Sequence, residues 1–235
     1  VVNLSEKNST ITGTTEAGST VTLSIGGNDR TATVDGTTWS YALTDDDITA
    51  MDQGAESIAV TATDSAGNET ESDTKRITVD TVAPTVSSVA ISATDSADTV
   101  TTDPLIVGDK ILVTVTMSEA TTVTGTPTYT IDVGGVSKTA SYVSGSGSTA
   151  LVFSYTIASG DTDSADGITA GTSALALGDG TLQDAAGNDA TLTTPAVAAS
   201  ANAIAVDAAA PTVSSVEISA TDSADTVTTD PLIVG

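Results

Sequence analysis

Residues 83–108 read APTVSSVAISATDSADTVTTDPLIVG, and residues 210–235 repeat them with one change, Ala90 to Glu217. The offset of 127 residues (210 − 83) is too long for one coil of a solenoid and matches a whole domain. The chain is therefore expected to be a slice of a tandem array that stops inside a repeat. Two junctions agree with this. Ile77-Thr78-Val79-Asp80-Thr81-Val82-Ala83-Pro84 and Ile204-Ala205-Val206-Asp207-Ala208-Ala209-Ala210-Pro211 each end a strand-like run in Asp and reach Pro four residues later. Proline cannot donate to a continuing ladder and stiffens the link. The implied boundaries are a first domain at 1–80, a second at 82–207 and the opening of a third at 209–235.

Period-2 alternation fills the space between the junctions. Val21, Leu23 and Ile25 alternate with Thr22 and Ser24; Trp39, Tyr41 and Leu43 behave likewise, as do Ile58, Val60 and Ala62. Further along come Ile111/Val113/Val115/Met117, Tyr129/Ile131/Val133 and Leu151/Phe153/Tyr155/Ile157. One apolar face and one Thr/Ser face is the pattern of a half-buried antiparallel strand. Gly26-Gly27-Asn28-Asp29, Asp35-Gly36, Gly134-Gly135 and Gly145-Ser146-Gly147 supply turns. Only 45–53 looks helical, for about one turn. The expected fold is all-β: tandem antiparallel β-sandwiches, with Trp39 and Phe153 in their cores.

The chain carries 31 acidic and 6 basic residues, a formal net charge of −25. That excludes nucleic acid and anionic membranes as partners, since both require a basic patch, and it suits divalent cations. No run of eighteen apolar residues is present, so no helix is expected to insert in a bilayer. Val1 opens without a secretory signal pattern, as expected of a mature chain or a fragment. With neither cysteine nor histidine, disulfides, ordinary zinc sites, thiol chemistry and His-based triads are all excluded. A hydrophobic content of 39% is enough to build cores.

Ile11-Thr12-Gly13-Thr14-Thr15-Glu16-Ala17-Gly18-Ser19-Thr20-Val21, then Trp39-Ser40-Tyr41, then Ala62-Thr63-Asp64-Ser65-Ala66-Gly67-Asn68, resembles the bacterial Ig-like repeat. The second domain is similar to a longer repeat of that kind, through Val113–Glu119, Thr139–Gly147 and Asp184-Ala185-Ala186-Gly187-Asn188. Such repeats are typical of giant calcium-dependent adhesins, often of the RTX type, secreted to the surface of Gram-negative bacteria. The resemblance implies Ig-like sandwiches in an extended rod, a role in cell adhesion and biofilm, and calcium at the junctions. No adhesin head is recognisable, which implies an extender whose distal ligand is bound by domains outside this segment. Its own partners would then be the neighbouring repeats of the same chain.

Strand direction predicts which acids meet. Glu16, Asp64 and Asn68 share the upper end of the first domain as candidate Ca2+ ligands, and Asp80 leaves its lower end. Glu119 closes a rising strand of the second domain, as does the 184–188 loop, so both face Asp80. Residues 81–84 span at most roughly 13–14 Å, so the domains must nearly touch. Asp80, Glu119, Asp184 and Asn188 are thus expected to converge as oxygen ligands for Ca2+, with exposed Asp189 a lesser candidate. At the second domain's lower end lie Asp95, Asp98, Asp103 and Asp109, the run Asp161-Thr162-Asp163-Ser164-Ala165-Asp166-Gly167, and Asp207. D-x-D-x-x-D-G resembles a calcium loop with one residue too many for EF-hand geometry. These acids either gather around cations or splay into solvent.

Three functions fit these readings: an adhesin extender, a Ca2+-stabilised surface-layer or filament subunit that self-assembles, and an accessory segment of a secreted hydrolase. An active site is not expected, because the paired carboxylates sit in turns with few aromatic neighbours to form a sugar cleft. Thr-rich strand faces could suggest ice binding, but Thr is the ordinary residue of an exposed strand face.

Overall fold

The computed structural model describes residues 2–3, 9–70, 73–163, 167–217, 220–221 and 227–228. The first part of the chain forms β1 (Thr10–Thr14), β2 (Thr20–Ile25), β3 (Asn28–Thr31), β4 (Thr33–Asp35), β5 (Thr38–Ala42), α1 (Asp45–Ala50), β6 (Gly54–Thr63) and β7 (Asp73–Val79). One sheet has the order β1-β5-β4 and the other β3-β2-β6-β7, with every ladder antiparallel. The inward residues of both sheets, Val21, Leu23, Ile25, Trp39 and Ile58 among them, make one core. Gly26 and Gly27 both have positive φ, which a two-residue hairpin between β2 and β3 requires to match strand twist. Val2 pairs parallel with Val79 on the outer edge of β7.

The second part contains β8 (Val86–Thr94), β9 (Lys110–Val123), β10 (Thr128–Val133), β11 (Val136–Ser144), β12 (Ser148–Thr156), β13 (Thr162–Asp163), β14 (Leu175–Ala176), β15 (Leu182–Gln183) and β16 (Val206–Asp207). Here one broad sheet runs β14-β10-β11-β12-β9, and β8 and β15 both pair with β9. Phe153 lies between Tyr129 and Tyr142, at ring-centroid distances of 5.8 and 5.7 Å. The segment 157–208 covers the apolar face of this sheet with Ile157, Ile168, Leu175, Leu182, Val197 and Val206. Its strands are only two residues long. The expected second sheet of comparable length is replaced by this irregular layer. Between Ile168 and Val206 the sequence is rich in Ala, Gly and Thr. Such residues bury little area each, so the layer is held by scattered backbone bonds such as Ala170–Val197 and Thr194–Thr172. The two cores share no strand and no core residue.

Candidate metal centre

Asp80 follows directly on β7, and its backbone N–H donates to the Val2 carbonyl at 2.9 Å. Glu119 lies within β9, where the ladder breaks step: Thr116 pairs with Ala150, but Thr121 pairs with Ser148. Residues 117–120 therefore bulge, and a bulge re-aims side chains at the edge of a sheet. Asp184 follows β15 and opens the 184–188 loop. Carboxylate oxygens of Asp80, Glu119 and Asp184 lie within 4.8 Å of one another, with Asp184 buried and the other two half-buried. Burial, followed by the charges of Asp184 and Asp80, pushes the Glu119 carboxyl above its ordinary value. Three carboxylates held this close repel one another until a cation neutralises them. Hard oxygen donors suit calcium, which takes six to eight oxygens, so backbone carbonyls and water would complete the shell. The three side chains together could hold a metal ion.

Asn188 reaches the same junction, where its amide nitrogen makes hydrogen bonds to both bodies. Its Nδ2 donates to the Asp80 carbonyl at 2.9 Å and to Asp184 Oδ2 at 2.8 Å. Both partners are acceptors, so the amide nitrogen is committed to them, and Oδ1 is the atom through which Asn188 would meet a cation. Asp189 is exposed and accepts from Gln183. Asn3 also arrives here, almost wholly buried, and its Nδ2 donates to the Ala186 carbonyl.

Among the described residues, no three of the lower-end acids lie close enough to share an ion, although Asp163 and Asp207 line one cavity. Among the described residues, Asp80, Glu119 and Asp184 form the only group of three carboxylates close enough to share an ion. Asp161 accepts from Lys138 Nζ at 2.6 Å, Tyr155 Oη at 2.7 Å and the Ala158 N–H at 2.8 Å. Burial raises its pKa, but these bonds outweigh burial and hold it below the usual range. Asp98 pairs with Lys110, and Asp95 caps its own turn through the N–H groups of Ala97 and Thr99. Asp109 accepts from the Ile106 N–H and Asp163 from that of Gly134, both buried. Asp207 folds back on the Ala209 N–H, and Asp103 is exposed. Asp166 lies outside the described residues. Of these described acids, Asp98 and Asp161 have a lysine partner, and the others have a backbone N–H or solvent.

Glu16, Asp64 and Asn68 line a single cleft of about 690 Å³ at the far end of the first core. Asp64 is occupied by the Ala66 and Asn68 N–H groups and by Asn68 Nδ2.

A buried carboxylate that the sequence reading passed over is Asp47. It accepts from Arg30 Nε at 2.6 Å, Tyr41 Oη at 2.6 Å, and both the N–H and the hydroxyl of Thr44. Burial works against its charge, yet these bonds hold its pKa at about 2. The signal was present twice: a Tyr precedes Asp47 and Asp161 by six residues in each case (Tyr41, Tyr155), and Thr44 with Asp47 makes a capping box.

No protein-family model matches the chain, and no curated protein is similar to it in sequence. Solved structures do resemble it. One is a Ca2+-stabilised adhesin that helps an Antarctic bacterium reach out and bind ice, with a TM-score of 0.43 and 25% identity over 95% of this chain and 50% of that one. Another is a 1.5-MDa bacterial ice-binding adhesin, solved for its retention at the host cell surface, with a TM-score of 0.41 and 17% identity over 82% of this chain and 60% of that one. The chain spans about half the length of the first of these structures. At such TM-scores neither function nor domain arrangement transfers from either. Among the described residues no helix is long and apolar enough to cross a membrane.

Proposed function

We propose that the chain is an extender segment of a bacterial cell-surface adhesin, made of tandem Ig-like sandwiches whose junctions are rigidified by calcium. The observation that carries this reading is the carboxylate trio, because Asp80 comes from one side of a four-residue linker and Glu119 and Asp184 from the other. A cation bound there joins the two bodies and fixes their angle, which is what a stalk needs in order to project a distal binding domain. The division at 1–80, 82–207 and 209–235 is supported by two cores without a common residue and by the 127-residue repeat. Two facing sheets ordered β1-β5-β4 and β3-β2-β6-β7 support an Ig-like reading of the first domain. An RTX-type adhesin acting outside the cell, in adhesion and biofilm, remains the family this reading favours. Neighbouring repeats are its contacts, and the tip ligand belongs to other domains.

Calorimetric titration with Ca2+ tests the reading. Wild type should take up calcium and melt higher in its presence, while Glu119→Gln and Asp80→Ala should lose both responses. If wild type binds no calcium and its melting midpoint ignores chelator, the carboxylates are only solvating charges.

A further inference from the structure

We infer that Asn3 and Asn188 are positioning residues that dock the two sandwiches on each other without any cation and hold Asp80 and Asp184 at the spacing a cation needs. The inference rests on the reading of the junction as a rigid link and adds how that link is set.

The two amides work reciprocally. Asn188, on the second body, donates to the backbone carbonyl of Asp80. Asn3, on the first, donates to the backbone carbonyl of Ala186. Asn3 is held in place because Val2 N–H donates to Thr78 and the Asp80 N–H donates to Val2, at 2.7 and 2.9 Å. Asn188 in turn ties its own loop by donating to Asp184 Oδ2. The linker is pinned at both ends too. The Thr81 N–H donates to Gln53 Oε1 at 3.0 Å, and Gln53 Nε2 donates to Thr81 Oγ1 at 2.5 Å. The Thr85 N–H donates to Ser118 Oγ at 3.0 Å, and the Thr191 N–H donates to the Pro84 carbonyl at 2.8 Å. A hinge would have to break amide–carbonyl bonds made across a partly dehydrated contact, where leaving a buried donor unmet is costly. The carboxylates therefore stay face to face despite their repulsion.

The chain has no cysteine, so spin labels on Asp29→Cys and Ser137→Cys, both exposed strand positions, report the distance between the bodies. With Ca2+ the wild-type distance distribution should be narrowest, and in chelator it should widen but keep a single maximum. Asn188→Ala and Asn3→Ala should each broaden it and lose its maximum, and Asn188→Ala should bind Ca2+ about fivefold more weakly, as expected for one lost hydrogen bond. Asn3→Ala leaves the 184–188 loop its own bonds, so it separates undocking from loop unfolding. Equal widths for wild type and both variants in chelator would overturn the inference. A wild type that keeps its single maximum in chelator yet takes up no calcium would leave this docking intact and remove only the cation.

Discussion

The loops at 64–68 and 184–188 share a sequence pattern, Asp-x-Ala-Gly-Asn, and the same internal bonds. In each, the Asp Oδ1 accepts the N–H groups two and four residues on, and the Asn Nδ2 returns to Oδ2 at 2.8 Å. Their surroundings differ. Asp64 is half-exposed and, among the described residues, has no two carboxylates within ligand distance, whereas Asp184 is buried beside Glu119 and Asp80, and Asn188 has a carbonyl of the other body to hold. The motif is first a self-capping turn. Its carboxylate becomes part of a candidate metal site only where a bulged strand and an incoming linker bring two more.

The largest expected effect separates the two loops outright. Asp184→Ala should abolish the calcium-dependent gain in stability, worth about 2.7 kcal/mol at a hundredfold excess of ion over Kd. Asp64→Ala should leave that gain unchanged and cost only the turn's own bonds. Thermal melts of both variants in calcium and in chelator make the comparison. A calcium response that survives Asp184→Ala would move the ion away from the junction.

These differences explain how much of the molecule is legible in its sequence. Alternation places the strands because burial on one face imposes period 2, and chain direction alone brings Asp80, Glu119 and Asp184 to one end. The bulge under Glu119 is not visible, since Val113–Glu119 reads as uninterrupted alternation. Nor are the partners of the lower acids: Lys138 meets Asp161 from 23 residues away and Lys110 meets Asp98 from 12, separations that only the fold closes. Nor is the second role of Asn188 visible, since the Asp80 carbonyl that its amide nitrogen holds lies 108 residues away. The layer at 157–208 resists reading for a simpler reason: small residues carry almost no periodic signal.

A second way to sharpen the contrast uses acid, because carboxylates at the junction and in the first core are displaced in opposite directions. Glu119 is raised from its ordinary 4.5. In metal-free protein its contribution to stability is therefore fully present below 4.5 and is lost as pH rises through the raised value. Asp47 is lowered from 3.8 to about 2. Its contribution is present above 3.8 and is lost as pH falls through about 2. Denaturation midpoints in chelator, followed from about pH 7 to about pH 2, should rise on the first limb and fall on the second. Glu119→Gln should flatten the first limb, and Asp47→Asn should make the second shallower, the remainder coming from Asp161 and Asp64, whose carboxyls are also held low by their hydrogen bonds. A single fall from neutral pH in wild type would mean that the junction carboxylates do not repel.

The smallest expected difference is also the most local. Gly67 and Gly187 occupy the same turn position with φ of +88° and +89°, where any side chain costs about 1–2 kcal/mol. A Cβ on Gly67 would meet nothing within 4 Å, whereas one on Gly187 would lie 3.1 Å from Asn3 Nδ2. Gly67→Ala and Gly187→Ala should thus share the backbone strain, and Gly187→Ala should be the more destabilised of the two as Asn3 is displaced. In the Asn3→Ala background the amide is gone, so the two glycine variants should become equal in chemical denaturation. If Gly187→Ala stays the more destabilised there, the added methyl is felt within the 184–188 loop itself, and the contact with Asn3 is not what distinguishes the two turns.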